Sequence, residues 1–162
     1  MATMPDKSGV SQWEQYLGEL INASRAQAGL QPFSFDAELV SAAGKHSDWM
    51  VGQDVFSHTG IGGSSASARM TAEGYQWRAA GENIAYISGS GAAIIDAGDV
   101  QQLHNMLMNS PGHRANLLSS NFTEIGLGIT QGDYKGRPGI FVTENFGKPT
   151  ATEAMEPDGW FI

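Results

Sequence analysis

Trp13, Tyr16, Leu17, Leu20, Ile21 and Ala28 recur at the three- and four-residue spacing of a helix with one buried face. Ser24 falls on that face and is small enough for a close contact. Ser11 and Glu14 have the spacing of a capping box, and Gly29 marks the stop. Residues 31–35 then read as an extended connection. Asp36 is a good N-cap for a second helix reaching about Val51, with Leu39, Val40, Ala43 and either Trp49 or Met50 inward. Residues 52–63 are a Gly-rich loop, and 64–74 suggest a short third helix with Ala66, Met70 and Ala72 inward. Residues 82–86 read as a strand start or an extended loop, and 88–98 as a small-residue linker. A fourth helix over 99–109 turns Val100, Leu103, Met106 and Leu107 to one side. Pro111-Gly112 breaks it, and a further turn carries 113–118. Ile125, Leu127 and Ile129 alternate with Gly126 and Gly128, so one face of this strand can approach another layer closely. A turn at 133–137 and a return strand over 140–146 complete an antiparallel hairpin. The pattern predicts an α+β fold with a small, mostly antiparallel sheet covered by helices on both faces. Residues 10–147 form the predicted domain, 1–9 an N-terminal extension, and 148–162 a tail or linker to a further module.

Length and composition fit one domain with a real core: 162 residues, of which 41% are hydrophobic. The nine basic residues are scattered against 17 acidic ones, for a net charge of −8. No basic stripe exists to follow a phosphate backbone, which argues against nucleic acid and anionic membrane as partners. With no cysteine, disulfides, thiolate catalysis and Cys-based zinc sites are excluded. No apolar run approaches a transmembrane span, and residues 1–9 lack the apolar stretch of a cleavable signal. That leaves a cytoplasmic location, export by another signal, or a trimmed start as the expectations.

Three pieces carry candidate chemistry. His58, in Phe56-Ser57-His58-Thr59-Gly60, sits on a polar loop and can offer a neutral nitrogen as base or ligand; a loop histidine bonded to backbone is the plainer alternative. Glu82 stands just before a buried Ile84-Ala85 step, placed to orient a histidine, bind a metal or act as general base, or to be an ordinary strand-end glutamate. His113 follows the Pro-Gly break, which aims it away from the fourth helix. Arg114 and Asn116 beside it are not explained by any amphipathic pattern; Asn109 and Ser110 could instead cap free backbone groups there. His46 and His104 lie at the edges of helical apolar faces and read as core or boundary residues. Met106 and Met108 read as core filler. Glu144 shares a strand face with Val142 and Phe146, so it either reaches a cleft or lies at the sheet edge. Neither a nucleophile elbow nor a phosphate-binding loop is present.

In this order, the opening helix with Asn22 and Arg25, then Phe56-Ser57-His58, Gly81-Glu82-Asn83-Ile84-Ala85, Ser110-Pro111-Gly112-His113-Arg114-Ala115-Asn116 and Ile125-Gly126-Leu127-Gly128 resemble the CAP superfamily. That superfamily takes in cysteine-rich secretory proteins, antigen five and pathogenesis-related proteins, and the likeness is to its bacterial, cysteine-free SCP-like branch. It covers roughly residues 13–147. The resemblance implies a three-layer α–β–α sandwich with a central cleft. By motif, His58 and His113 become candidate metal ligands for Zn²⁺ or another divalent cation, and Glu82 joins them in the cleft. Asn83, Ser110, Arg114, Asn116 and Glu144 are expected around them. Many relatives place a second glutamate before the second histidine, three residues after a tryptophan; here Leu107 and Ser110 hold those two positions. The family's acidic set is therefore incomplete; Glu144 could supply the missing carboxylate, though the family's motif does not include it.

Three functions remain open from the residues. One is a secreted binding module with a His-Glu-His cleft for a small-molecule, lipid or protein ligand. Another is a metal-dependent peptidase or esterase in which Glu82 would act on a bound water. The third is a structural domain without a ligand. Some relatives are modules of larger secreted proteins, so an extracellular location by a C-terminal signal beyond Ile162 is expected, with the cytoplasm as alternative.

Overall fold

A computed structural model describes residues 9–89 and 92–162. Residues 1–8 of the expected N-terminal extension and residues 90–91 of the expected linker lie outside the described residues. Five helices and five strands form three layers: α1 (Gln12–Gln27), β1 (Ser34–Asp36), α2 (Ala37–Gln53), α3 (Ala66–Ala72), β2 (Trp77–Ser88), α4 (Ala97–Met108), α5 (Pro111–Leu117), β3 (Glu124–Tyr134), β4 (Arg137–Pro149) and β5 (Gly159–Phe161). The sheet order is β2-β4-β3-β1-β5. Only β1 and β3 pair in parallel; the other neighbours are antiparallel. Helices α2 and α3 cover one face, and α1, α4 and α5 the other.

The helices form for the reasons their sequence gives. Glu14 N–H donates to Ser11 Oγ at 3.2 Å and Ser11 N–H to Glu14 Oε1 at 2.8 Å, closing the capping box. Glu14 Oε2 also accepts from Ile129 N–H at 2.8 Å, so the cap fastens α1 to β3. Asp36 Oδ1 accepts from Glu38 N–H and Leu39 N–H, both at 2.9 Å, to start α2. Met50 rather than Trp49 turns fully inward. A Cβ on Gly126 or Gly128 would fall into the backbone of Leu39 or Ala43, so α2 lies directly on β3 as the alternation predicts. The hairpin turns over Lys135 (φ 51°) and Gly136 (φ 78°), a two-residue turn whose twist suits the strands.

Four expectations are corrected. β2 is not a strand start but twelve residues paired along β4. Helix α4 begins at Ala97, two residues before the start predicted from periodicity, because Asp96 and Asp99 form a capping box. The break at Pro111 stands, since α4 ends at Met108 and Ser110 is extended, but Pro111 and Gly112 belong to the first turn of α5, where the missing N–H costs nothing, so the following helix starts two residues earlier than expected. Segment 148–162 is no tail: β4 runs to Pro149, β5 pairs with β1, and Trp160 packs on Phe35 with ring centroids 5.6 Å apart.

The two faces of the sheet differ in kind. The α1/α4 side is one large apolar cluster containing Leu17, Ile21, Leu103, Leu107, Leu127, Val142 and Phe146, with Asn83 and Glu144 buried on the same side beneath α5. On the α2 side two smaller clusters, around Leu39, Met70 and Tyr75 and around Met50, Ile84 and Phe141, flank a polar seam. In that seam Ser47 Oγ donates to Gly128 O at 2.8 Å and meets Thr143 Oγ1 at 2.8 Å. Buried polar groups are tolerable there because each finds a partner.

Candidate functional site

The cleft forms where the sheet ends at β2, between the loop after α2 and the α4–α5 junction. Ile84, Ala85 and Tyr86 make its floor, Phe56, Ser57, His58 and Thr59 one wall, and Met106, Leu107, Ser110 and His113 the other. Its volume is about 640 Å³, the size of a small-molecule site. Most of the lining is apolar, with Ser57, His58 and Thr59 on one wall and Ser110 and His113 on the other as its polar groups.

His58 is held from behind. Its Nδ1 lies 2.9 Å from Glu82 Oε1, and Glu82 Oε2 accepts from Arg69 Nη2 at 2.7 Å. With its amide nitrogen facing Glu82, Asn145 adds a third bond to that carboxylate at 2.9 Å. Arg69 also donates to His58 O at 3.0 Å and Ser64 O at 2.9 Å, pinning the loop that carries the histidine. Gly60 allows this packing: a Cβ there would stand 2.7 Å from Arg69 Nη1 and 2.9 Å from His46 Nδ1. His46 Nε2 donates to Ser57 O at 2.8 Å, and burial pushes the His46 pKa down, so it serves the loop as a neutral strut.

His113 is held from its own side. Its Nδ1 lies 2.8 Å from Ser110 Oγ, so this serine orients the imidazole. Burial, reinforced by the nearby His58, lowers its pKa and favours the neutral ring. Asn83, fully buried, donates to His113 O and to Glu144 Oε1, each at 3.0 Å, and accepts from Asn116 Nδ2 at 2.9 Å. Arg25 anchors the far end of α5: it donates to Leu117 O at 2.8 Å and stacks on Phe33 at 3.7 Å. Asn22 fixes the same Phe33 through both its backbone N–H and C=O.

The expected residues therefore divide by role. His58, Ser110 and His113 face the cleft. Glu82, with a side chain only 3% exposed, stands behind His58. Asn83 and Asn116 are struts beneath α5. Arg114 is exposed and does not line the cleft; its side chain reaches Met108 O at 3.4 Å. Glu144 neither reaches the cleft nor lies at an edge. It is fully buried on central strand β4, where burial pushes its carboxyl up to about 7 against the opposing effect of the Asn83 bond. His104 is buried as expected, its Nε2 2.9 Å from Ser24 Oγ. Met106 is corrected: it is 43% exposed on the cleft wall instead of filling the core. Sequence reasoning missed Arg69, Asn145, Phe56 and Tyr86. The run Thr143-Glu144-Asn145 in mid-strand was the available signal for Asn145, since three successive polar residues must place some on each face.

Both Nδ1 atoms are occupied, so the Nε2 atoms are the ones His58 and His113 could offer to a divalent ion. The fit is partial. Ligand atoms of His58, Glu82 and His113 do not gather within 4.8 Å of one another; among the described residues the only such acidic or histidine group lies elsewhere. Glu82 is engaged by His58, Arg69 and Asn145, which suits an orienting role better than a ligand's or a base's.

The profile of the cysteine-rich secretory protein family, CAP, matches residues 19–146. The uncharacterized protein YkwD of Bacillus subtilis (strain 168) is 35% identical over 124 residues, 76% of this chain and 45% of that protein. The chain spans less than half the length of the curated relatives it matches. An extracellular protein containing a SCP domain from Bacillus anthracis str. Ames superposes with a TM-score of 0.65 at 28% identity, over 91% of this chain and 45% of that one. An outer surface protein from Borrelia burgdorferi shares the fold, with a TM-score of 0.67 at 21% identity over 91% and 97% of the two chains. No described helix is long and apolar enough to cross a membrane.

Proposed function

This chain belongs to the CAP family of cysteine-rich secretory proteins, and from that premise we propose that it is an extracellular binding module whose cleft holds a ligand with an apolar body and a polar head. The observation that carries this reading is the composition of the cleft: an apolar floor and walls from Phe56, Ile84, Tyr86, Met106 and Leu107, with an oriented imidazole on each wall, His58 on one and His113 on the other. The apolar part displaces water along the β2 floor. The head is met by His58 and His113, each with Nδ1 engaged and Nε2 left for the ligand. A divalent ion such as Zn²⁺ would be held by these two residues and would attract an oxygen of the ligand. The likeness to an extracellular protein supports the location.

Hydrolysis is the weaker reading. Glu82, the residue it requires as base, already balances the Arg69 guanidinium and holds His58. Zinc calorimetry on the wild type and His113→Ala tests the proposal. Binding by the wild type, lost in the variant and without turnover of peptide or ester substrates, supports it. Turnover abolished by Glu82→Gln would replace binding with hydrolysis. No heat in either protein would remove the metal from the scheme.

A further inference from the structure

At the opposite end of the sheet, four carboxylates from two separate stretches of chain converge. Asp36 and Glu38 open α2; Glu153 and Asp158 precede β5. One oxygen from each lies within 4.8 Å of every other. That is about the span between oxygens on opposite sides of one calcium ion at 2.3–2.6 Å.

Crowded acids on a surface share protons or simply face water, and need no ion. Here two of the four are out of water: Asp36 is 1% and Glu153 2% exposed. Glu153 Oε2 accepts from Gln76 N–H at 2.9 Å, but its Oε1 is buried with no hydrogen-bond partner, and so is Glu38 Oε2. A buried carboxylate oxygen without a donor is costly; here either a proton shared between Glu38 and Glu153, with burial and Glu153 pushing the Glu38 carboxyl up to about 8, or a bound cation in its place meets the two oxygens. No Lys, Arg or His among the described residues forms an ion pair with any of the four. The nearby Glu124 adds a further acid, occupied by the Tyr75 hydroxyl at 2.8 Å.

The donors are already fixed. Asp36 is held by its cap bonds, Glu153 by Gln76, and the Asp158 carbonyl accepts from Ala37 N–H at 3.1 Å. All four offer oxygen, which selects hard cations over zinc or copper. Carboxylates arriving from separate segments suit the larger, more tolerant shell of calcium better than the strict octahedron of magnesium.

We propose that Asp36, Glu38, Glu153 and Asp158 form a site for a hard divalent cation, calcium in preference to magnesium, that clamps the segment before β5 to the start of α2. This site is separate from the imidazole cleft and uses none of its residues. Bound cation stabilises the folded chain by mass action.

The test is thermal unfolding and calorimetry on EGTA-treated protein with Ca²⁺ or Mg²⁺ added. Calcium at about 100 times its Kd is expected to raise the midpoint by about 5–10 °C for a chain of this size, and magnesium by less. The double variant Glu153→Gln, Asp158→Asn is expected to fold in EGTA at least as well as wild type, because repulsion is relieved, and to lose calcium affinity at least tenfold. His58→Ala is expected to keep the full calcium response. No calcium response in the wild type, an unchanged response in the double variant, or loss of the response in His58→Ala would each overturn the proposal.

Discussion

Glu144→Gln separates the charge of this residue from its shape. The wild-type carboxyl has no exposure and one hydrogen bond, from Asn83; its Oε2 has no partner. Burial moves it from 4.5 to about 7. Below 4.5 the group is protonated in both folded and unfolded chains and contributes no pH dependence. Between 4.5 and 7 the folded chain holds a proton that the unfolded chain has released, so stability falls as pH rises. The shift is worth roughly 3 kcal/mol in all, at about 1.4 kcal/mol per pH unit, and is fully lost above pH 7. Glutamine mimics the protonated acid: it keeps the acceptor for Asn83 and places a donor where the acid would carry its proton. The difference in unfolding midpoint, variant minus wild type, should be near its minimum at pH 4.5 and rise by roughly 5–10 °C by pH 8. The rise is the test, because any constant offset from the unmatched amide donor cancels. Midpoints from scanning calorimetry at half-unit pH steps would give the curve. Parallel curves for the two proteins would refute the reasoning and mean that the carboxyl ionises freely where it sits.

Other perturbations follow from the same contacts. Arg69→Met leaves the Glu82 carboxylate buried without its cation and should cost about 3–5 kcal/mol in urea unfolding; a loss below about 1 kcal/mol would show that His58 and Asn145 suffice. Gly128→Ala drives a methyl into the α2 backbone and should cost at least about 1–3 kcal/mol, whereas Gly112→Ala, with open space around it, should be neutral or slightly stabilising. His104 is buried with its pKa lowered by desolvation, so its contribution is complete above about 6.5 and lost as pH falls; His104→Gln should flatten the acid limb of the stability profile, and an unchanged limb would contradict this.

The elements written in the sequence are those whose stabilisation is local. α1 and α2 carry both their periodicity and their caps within a few residues, and the β3–β4 turn carries Gly136 where positive φ is needed. The full length of β2 is hard to read because its apolar residues do not alternate: Ile84 and Ala85 are buried on opposite faces of the sheet, against different layers. β5 is illegible because Trp160 has no meaning until Phe35, far away in sequence, is beside it. The site divides along the same line. His58, Glu82 and His113 are found by motif order, but the supports come from long-range partners: Arg69 from α3, Asn145 from β4, and Glu144 through Asn83. The apolar lining cannot be read from sequence because Phe56, Tyr86 and Met106 belong to three separate segments and gain their role only from meeting.

The floor of the cleft is also a terminus of hydrogen bonding. β2 has a strand neighbour on one side only, and at twelve residues it is a far longer border than β5, which has three. A border of that length is a template on which another chain can add a strand. The loop at 56–59 and the α4–α5 junction stand over it, so the walls of the cleft also keep other polypeptides from registering against Ile84, Ala85 and Tyr86. The shape of the cleft and the colloidal behaviour of the chain are thereby set by the same few side chains. A variant that unfastens the loop should reveal itself first by self-association in light scattering, before any ligand is added.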